Sequence, residues 1–239
     1  MDVAIIINRH YFNETPIIFQ KSYIHVTCIH VTFCIFVMVI VSLKKLQHMN
    51  PVTQAIILSA STLRMLPHIA LFLIHRDKVR DDLVKVQDCN DTVLNFIKAC
   101  TRERTFRNLF YYRMGEYRSV FIAWLMPPER TMHIWCPVIG KGAHFEHTYA
   151  TYLNAKSIGQ NFYCLQLVTL GNGKSGAPVI GDNVRIMTGA TVFGGITVGD
   201  NVTIGANTVV NKDVPSGCTV VGNPARIVKQ DGLKVDLAL

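Results

Sequence analysis

Aliphatic residues stand at Ile180, Ile186, Val192, Val198, Ile204 and Val210, six in succession at a spacing of six. Four residues after each come Val184, Ala190, Ile196, Val202, Thr208 and Val214, all small or β-branched, and Gly181, Gly199 and Gly205 directly follow their aliphatic. A helix turns about 100° per residue, so six steps carry a side chain well off the starting face, and a flat strand repeats every two residues. A period of six fits a coil of short strands and tight turns. Each turn points one aliphatic inward and leaves the corners to Gly, Asn and Asp. The step continues upstream through Leu170, Cys164 and Ile158, and again at Phe145 and Ile139. Two places break it. Phe145 to Ile158 is thirteen residues, one more than two repeats. Leu170 to Ile180 is ten, and it contains GNGKSGAP, residues 171–178, which predicts a loop thrown out of the coil. Breaks in a stacked solenoid mark places where something other than stacking is served.

Ahead of the coil, from Met49 to Trp135, the apolar spacing is helical. TQAIILSASTLRMLPHIALFLIH predicts a helix with a kink or break at Pro67, and Asp91 is a candidate N-cap for TVLNFIKAC. FRNLFYYRMGEYRSVFIAWL has amphipathic spacing, and Pro127-Pro128 ends the helical part. Residues 22–43 form an apolar run long enough to span a bilayer, with Lys44-Lys45 behind it. MNPVTQAIIL, opening at Met49, has the look of a natural start. Residues 1–48 therefore have two readings, an apolar leader in contact with a membrane or an over-extended start. The expected organisation is that segment, an α-helical region over 49–136, a β-helix over 137–229 and a C-terminal tail over 230–239.

Composition narrows the class. Of 239 residues 49% are hydrophobic, enough for a sizeable core and against global disorder. The net charge is +8, concentrated in the helical front, where residues 44–130 hold 14 Lys/Arg against 8 Asp/Glu. This suits an anionic ligand or a membrane surface. Without a basic stripe or reader motif it predicts no nucleic-acid partner. The seven cysteines, at 28, 34, 89, 100, 136, 164 and 218, form no CxxC pair and no zinc-type spacing. They read as reduced thiols of a cytoplasmic protein with no metal.

The tail IGDNVRIMTGATVFGGITVGDNVTIGANTVVNKDVPSGCTVVGNPARIV resembles the hexapeptide-repeat acyltransferases. That resemblance implies a left-handed parallel β-helix. The order of FRNLFYYRMG, IGKGAHFEH, an LxLVTLGNGK segment and the repeats is similar to serine O-acetyltransferases, particularly the shorter bacterial form, over roughly residues 103–229. It implies acetyl transfer from acetyl-CoA to L-serine in cysteine synthesis, and a homotrimer with active sites between neighbouring coils. Transfer to a hydroxyl needs a base, and an imidazole supplies one. The resemblance assigns that role to His147, with Glu146 as a weak orienter, because neighbours on a strand point to opposite faces. His144 reads as a corner residue. For the donor, Thr188, Gly189, Gly205 and Ala206 match corner positions against pantetheine. Asn211, Lys212, Arg226 and Lys229 match a cluster near the nucleotide, and Asn172, Gly173 and Lys174 close the groove as the extended loop. Coil stacking itself calls for no such set of cations. One departure concerns the acceptor. The longer relatives carry an arginine-histidine pair at the far end of the loop, and GNGKSGAPVIG has neither. Lys174, Arg113 and Arg118 are the remaining candidates for a serine carboxylate. A sugar acceptor would instead use Tyr149, Tyr152 and Tyr163. A catalytically silent β-helix scaffold is the reading from another class.

Overall fold

A computed structural model describes residues 51–87 and 90–239. The segment 1–48 with its apolar run, and Cys28, Cys34 and Cys89, lie outside the described residues. No helix among the described residues is long and apolar enough to cross a membrane.

The period of six builds a three-faced parallel solenoid. One face carries β1 (Met132–Ile134), β3 (Thr151–Leu153), β6 (Thr169–Gly171), β9 (Thr191–Phe193) and β12 (Val209–Val210) in that order. A second carries β4 (Ser157–Ile158), β7 (Val179–Ile180) and β10 (Thr197–Val198). The third carries β2 (His144–Phe145), β5 (Tyr163–Cys164), β8 (Arg185–Ile186) and β11 (Thr203–Ile204). Register places Ile158, Ile180 and Val198 in one inward column, Cys164, Ile186 and Ile204 in another, and Leu170, Val192 and Val210 in the last. None of these nine is more than 2% exposed. Their burial is the main driving force for stacking.

The corners use the residues the pattern leaves to them. After the three strands of the second face come Gly159, Gly181 and Gly199, where an added Cβ would fall within 3 Å of the next coil's backbone. Asp182 then accepts from Gln160 N at 2.7 Å and Asp200 from Asp182 N at 2.7 Å, so each carboxylate ties its coil to the one before. Asn161, Asn183 and Asn201 take the left-handed conformation that asparagine tolerates, and their side-chain amides pass hydrogen bonds along the column at 3.0 and 3.1 Å.

The last strands leave this pattern. β13 (Cys218–Val221) pairs parallel to β11, then antiparallel to β14 (Arg226–Gln230), which pairs antiparallel to β15 (Leu233–Ala238). Residues 230–239, expected as a tail, are thus a hairpin arm covering the end of the third face. This arm shields the sheet end of the solenoid. At the other end, residues 132–134, expected in the helical region, already form β1 of the first coil.

The front comprises α1 (Pro51–Ile74), α2 (Arg76–Gln87), α3 (Val93–Arg102), α4 (Arg104–Met114) and α5 (Glu116–Ala123). α1 runs continuously through Pro67 rather than ending there. The N-cap of α3 is Thr92, whose hydroxyl accepts from Asn95 N at 3.2 Å; the expected cap, Asp91, is instead drawn away by Arg76 at 2.7 Å. Phe72 stacks on Phe96 at 4.3 Å, and Phe106 and Phe110 meet Phe96 edge-on, forming a separate aromatic core. Leu109 of α4 faces the other way and joins the coil's core.

A buried ion pair joins the two parts. Asp82 on α2 receives Arg113 Nε at 2.8 Å and Nη2 at 3.1 Å, and also Ala143 N of the first coil at 2.9 Å. Arg113 donates onward to the carbonyls of Ile139 and Gly140. One charge pair therefore fixes the helices against the strand that precedes Glu146 and His147.

Candidate active site

Breaks in the period of six come from the corners. Between the third and first faces, the spacing of inward residues is six at Cys164 to Leu170, but eight at Phe145 to Leu153. Later corners turn on one left-handed residue each, Leu167, Gly189 and Asn207, whereas this one uses two, His147 (φ 54°) and Ala150 (φ 48°). A non-glycine residue with positive φ is unfavourable and is held only where its surroundings impose it. Thr105, near the start of α4, donates to Phe145 O at 2.8 Å, and Glu146 N to Cys164 O at 3.0 Å. Buried Thr148 anchors the far side of the turn against Met132. The widened corner thereby pushes His147 outward; its side chain is 78% exposed.

The imidazole lines a cavity of about 720 Å³ between this corner and the α3–α4 junction. His147 Nε2 lies 3.8 Å from Glu146 Oε1. The expectation that the two diverge fails because neither is on a strand; the left-handed turn folds one back toward the other. At that distance Glu146 acts on His147 by charge rather than by a hydrogen bond. Its Oε2 accepts from the Tyr163 hydroxyl, and burial, together with that bond, pushes the Tyr163 pKa up to about 12. His144, expected at a corner, is on β2 and lines the same cavity, half-buried, with its pKa lowered chiefly by burial.

The opposite wall was not foreseen. Glu103 is the single non-helical residue between α3 and α4, and it faces the cavity with Arg102 and Arg104. Burial pushes the Glu103 carboxyl up, the Glu146 carboxylate adds to this, and His147 opposes it. The signal was available as CTRERT, a charged run interrupting two amphipathic helices. The cations expected for an acceptor do not line this cavity. Arg113 is consumed by Asp82, and Arg118 lies near His75, whose pKa it helps to lower. Lys174 sits on the extended loop. Of Tyr149, Tyr152 and Tyr163, only Tyr149 lines the cavity, while Tyr152 stacks with His133 at 4.9 Å.

The expected donor residues fall on two edges. Thr188, Gly189, Gly205 and Ala206 lie at the same corner as His147, on successive coils. Backbone bonds link that corner from Leu167 N to Tyr149 O (3.1 Å), Gly189 N to Gln166 O (3.1 Å) and Asn207 N to Thr188 O (2.9 Å). Ala206 is exposed on this edge. Gly205 has a stacking reason of its own, since an added Cβ would meet Val221 at 2.8 Å. Asn172, Gly173 and Lys174 lie at the corner between the first and second faces, where Gly173 and Gly176 pair to close the loop and Ser175 accepts from Gly195 N at 2.8 Å. Asn211 and Lys212 are at that edge too. Within one chain these residues are not brought to His147. Two of the expected cations have structural partners. Arg226 bonds Asp236 at 2.7 Å, serving the β14–β15 arm, and Lys212 Nζ donates to Leu239 O at 2.7 Å. The hairpin arm therefore gives those two partners of its own. Lys229 has no ion-pair partner among the described residues.

Residues 177–212 match the family of bacterial transferase hexapeptide (six repeats). The solenoid is accordingly a left-handed β-helix of hexapeptide repeats. A serine acetyltransferase of Staphylococcus aureus (strain Mu50 / ATCC 700699) is 48% identical over 102 residues, covering 41% of this chain and 48% of that protein. One from Synechococcus elongatus is 42% identical over 104 residues, covering 41% of this chain and 42% of that protein. The chain thus spans about half or less of the length of these curated relatives. The solved serine acetyltransferase of Neisseria gonorrhoeae shares the fold with a TM-score of 0.53 at 22% identity, over 90% of this chain and 85% of that one.

Proposed function

We propose that the protein transfers the acetyl group of acetyl-CoA to the hydroxyl of L-serine. The observation that carries this reading is the content of the His147 cavity: a base, three carboxylates (Glu103, Glu129 and Glu146) and two arginines (Arg102 and Arg104) around one space. A small zwitterion with a hydroxyl needs that combination, with arginine for its carboxylate and a carboxylate for its ammonium. His147 takes the hydroxyl proton as the oxygen attacks the thioester carbonyl, and the imidazolium then protonates the departing thiolate. Glu146 stabilises the imidazolium by charge across 3.8 Å.

The donor fits the edge above His147. Coenzyme A has a narrow pantetheine arm, and the small residues Thr188, Gly189 and Ala206 give its amides backbone groups to meet. Lys229 supplies a cation for a phosphate. The extended loop is on another edge, so in a homotrimer the loop of a neighbouring copy would reach the His147 corner of this one. This accounts for Asn172, Gly173 and Lys174 as donor-site residues contributed across an interface. The small-molecule acceptor follows the activity in the relatives' names, and the trimer follows the resemblance alone. A sugar acceptor is the second reading, weakened by the single tyrosine at the cavity.

The test is a side-by-side assay of L-serine, L-serine amide and simple sugars with acetyl-CoA. The proposal expects turnover of serine and a drop of about tenfold or more for the amide, which lacks the carboxylate charge. Acetylation of sugars without acetylation of serine would overturn it.

A further inference from the structure

Arg107 on α4 is 8% exposed, and its Nε has no hydrogen-bond partner among the described residues. A buried guanidinium without a counter-charge is costly, and arginine stays protonated at neutral pH, so such a group implies a ligand. Arg107 lines a second cavity, of about 520 Å³, on the side of the helical front. Arg64 of α1, Arg104 of α4 and Arg130 of the segment after α5 line it as well. None of the four arginines has a carboxylate within ion-pair distance among the described residues. The only acidic residue in that wall is Glu129, and its Oε1 is engaged by Thr131 N at 3.1 Å and by the Thr131 hydroxyl at 2.8 Å. The carboxylate therefore shapes the loop, and although it feels the charge of Arg104, one carboxylate does not neutralise four arginines.

We propose that this cavity binds a phosphate-class oxyanion, free or as the terminal group of a small molecule. Four arginines from three separate segments line one space. A single carboxylate has two acceptor oxygens, whereas a tetrahedral dianion has enough to receive several planar forks at once. The site is separate from the base, yet Arg104 and Glu129 form a wall common to both cavities. Occupancy on one side therefore bears on the side chains of the other.

The test is isothermal titration of the full chain with inorganic phosphate, and in a second arm with adenosine monophosphate, at constant ionic strength set by chloride. Neither acetyl-CoA nor an acceptor is present, so the outcome is independent of the acetyl-transfer reading. Saturable binding of either ligand is expected, about tenfold weaker in Arg64→Ala and in Arg130→Ala, as loss of one charged hydrogen bond implies. Arg107→Met should abolish it. The Arg64 and Arg130 side chains are at the surface, so those variants decide the matter even if Arg107→Met fails to fold. No saturable heat with either ligand, or affinities unchanged in the Arg64 and Arg130 variants, would overturn the proposal.

Discussion

Replacing Asp82 by alanine should destabilise the protein far more than a surface charge would. The carboxylate is 1% exposed and accepts three hydrogen bonds, two from Arg113 and one from Ala143 N. Its removal leaves the Arg113 guanidinium, 11% exposed, facing only two carbonyls. Breaking one side of a buried pair costs about 3–5 kcal/mol, against about 5–15 for the total stability of a domain. The Asp82→Leu/Arg113→Met double variant should lose less than either single change, since it strands no charge. In Arg113→Met the lone Asp82 carboxyl has a second signature. Burial already pushes its pKa above the ordinary carboxylate value. The folded state then holds the proton more tightly than the unfolded chain, so stability falls as pH rises through that range. Urea denaturation of the three variants measures all of this. Losses below about 1 kcal/mol in the single variants, the range of exposed pairs, would refute the argument. So would strict additivity in the double variant.

His68 is fully buried with its pKa lowered to about 4 from 6.5, mainly by burial, so the unfolded chain binds its proton first. Its contribution is complete above pH 6.5 and is lost as pH falls toward 4, by up to about 3 kcal/mol. Melting curves of His68→Gln should therefore vary less with pH across that window than those of the wild type; identical slopes would contradict this. Ala206→Trp should raise the KM for acetyl-CoA sharply, with circular dichroism unchanged, because Ala206 is exposed on the edge above His147; an unchanged KM would remove that edge from the donor site.

The solenoid was readable from the sequence because its stacking is local. One inward aliphatic every six residues and Asn or Asp at the corners determine both the coil and its register, as Ile158, Ile180 and Val198 show. The one-residue excess before Ile158 also pointed correctly at the corner that carries His147, though not at its two left-handed residues. What escaped reading depends on contacts distant in the chain. Arg113 looks like an exposed cation until Asp82, on another helix, is placed beside it. Arg226 looks like part of a phosphate cluster until β15 folds back and brings Asp236 to it. Glu103 and Arg104 belong to a helix junction, and only the docking of that junction on the first coil turns them toward His147.

The claim on which the account rests is that His147 is the base. The most direct measurement is the rate of free coenzyme A release from acetyl-CoA and L-serine by the wild type, His147→Ala and Glu146→Gln, with folding of each verified by circular dichroism. The account predicts that His147→Ala is slower by about 10²–10⁴-fold, the usual worth of a general base, and that Glu146→Gln loses much less. Turnover by His147→Ala equal to that of the wild type would contradict it.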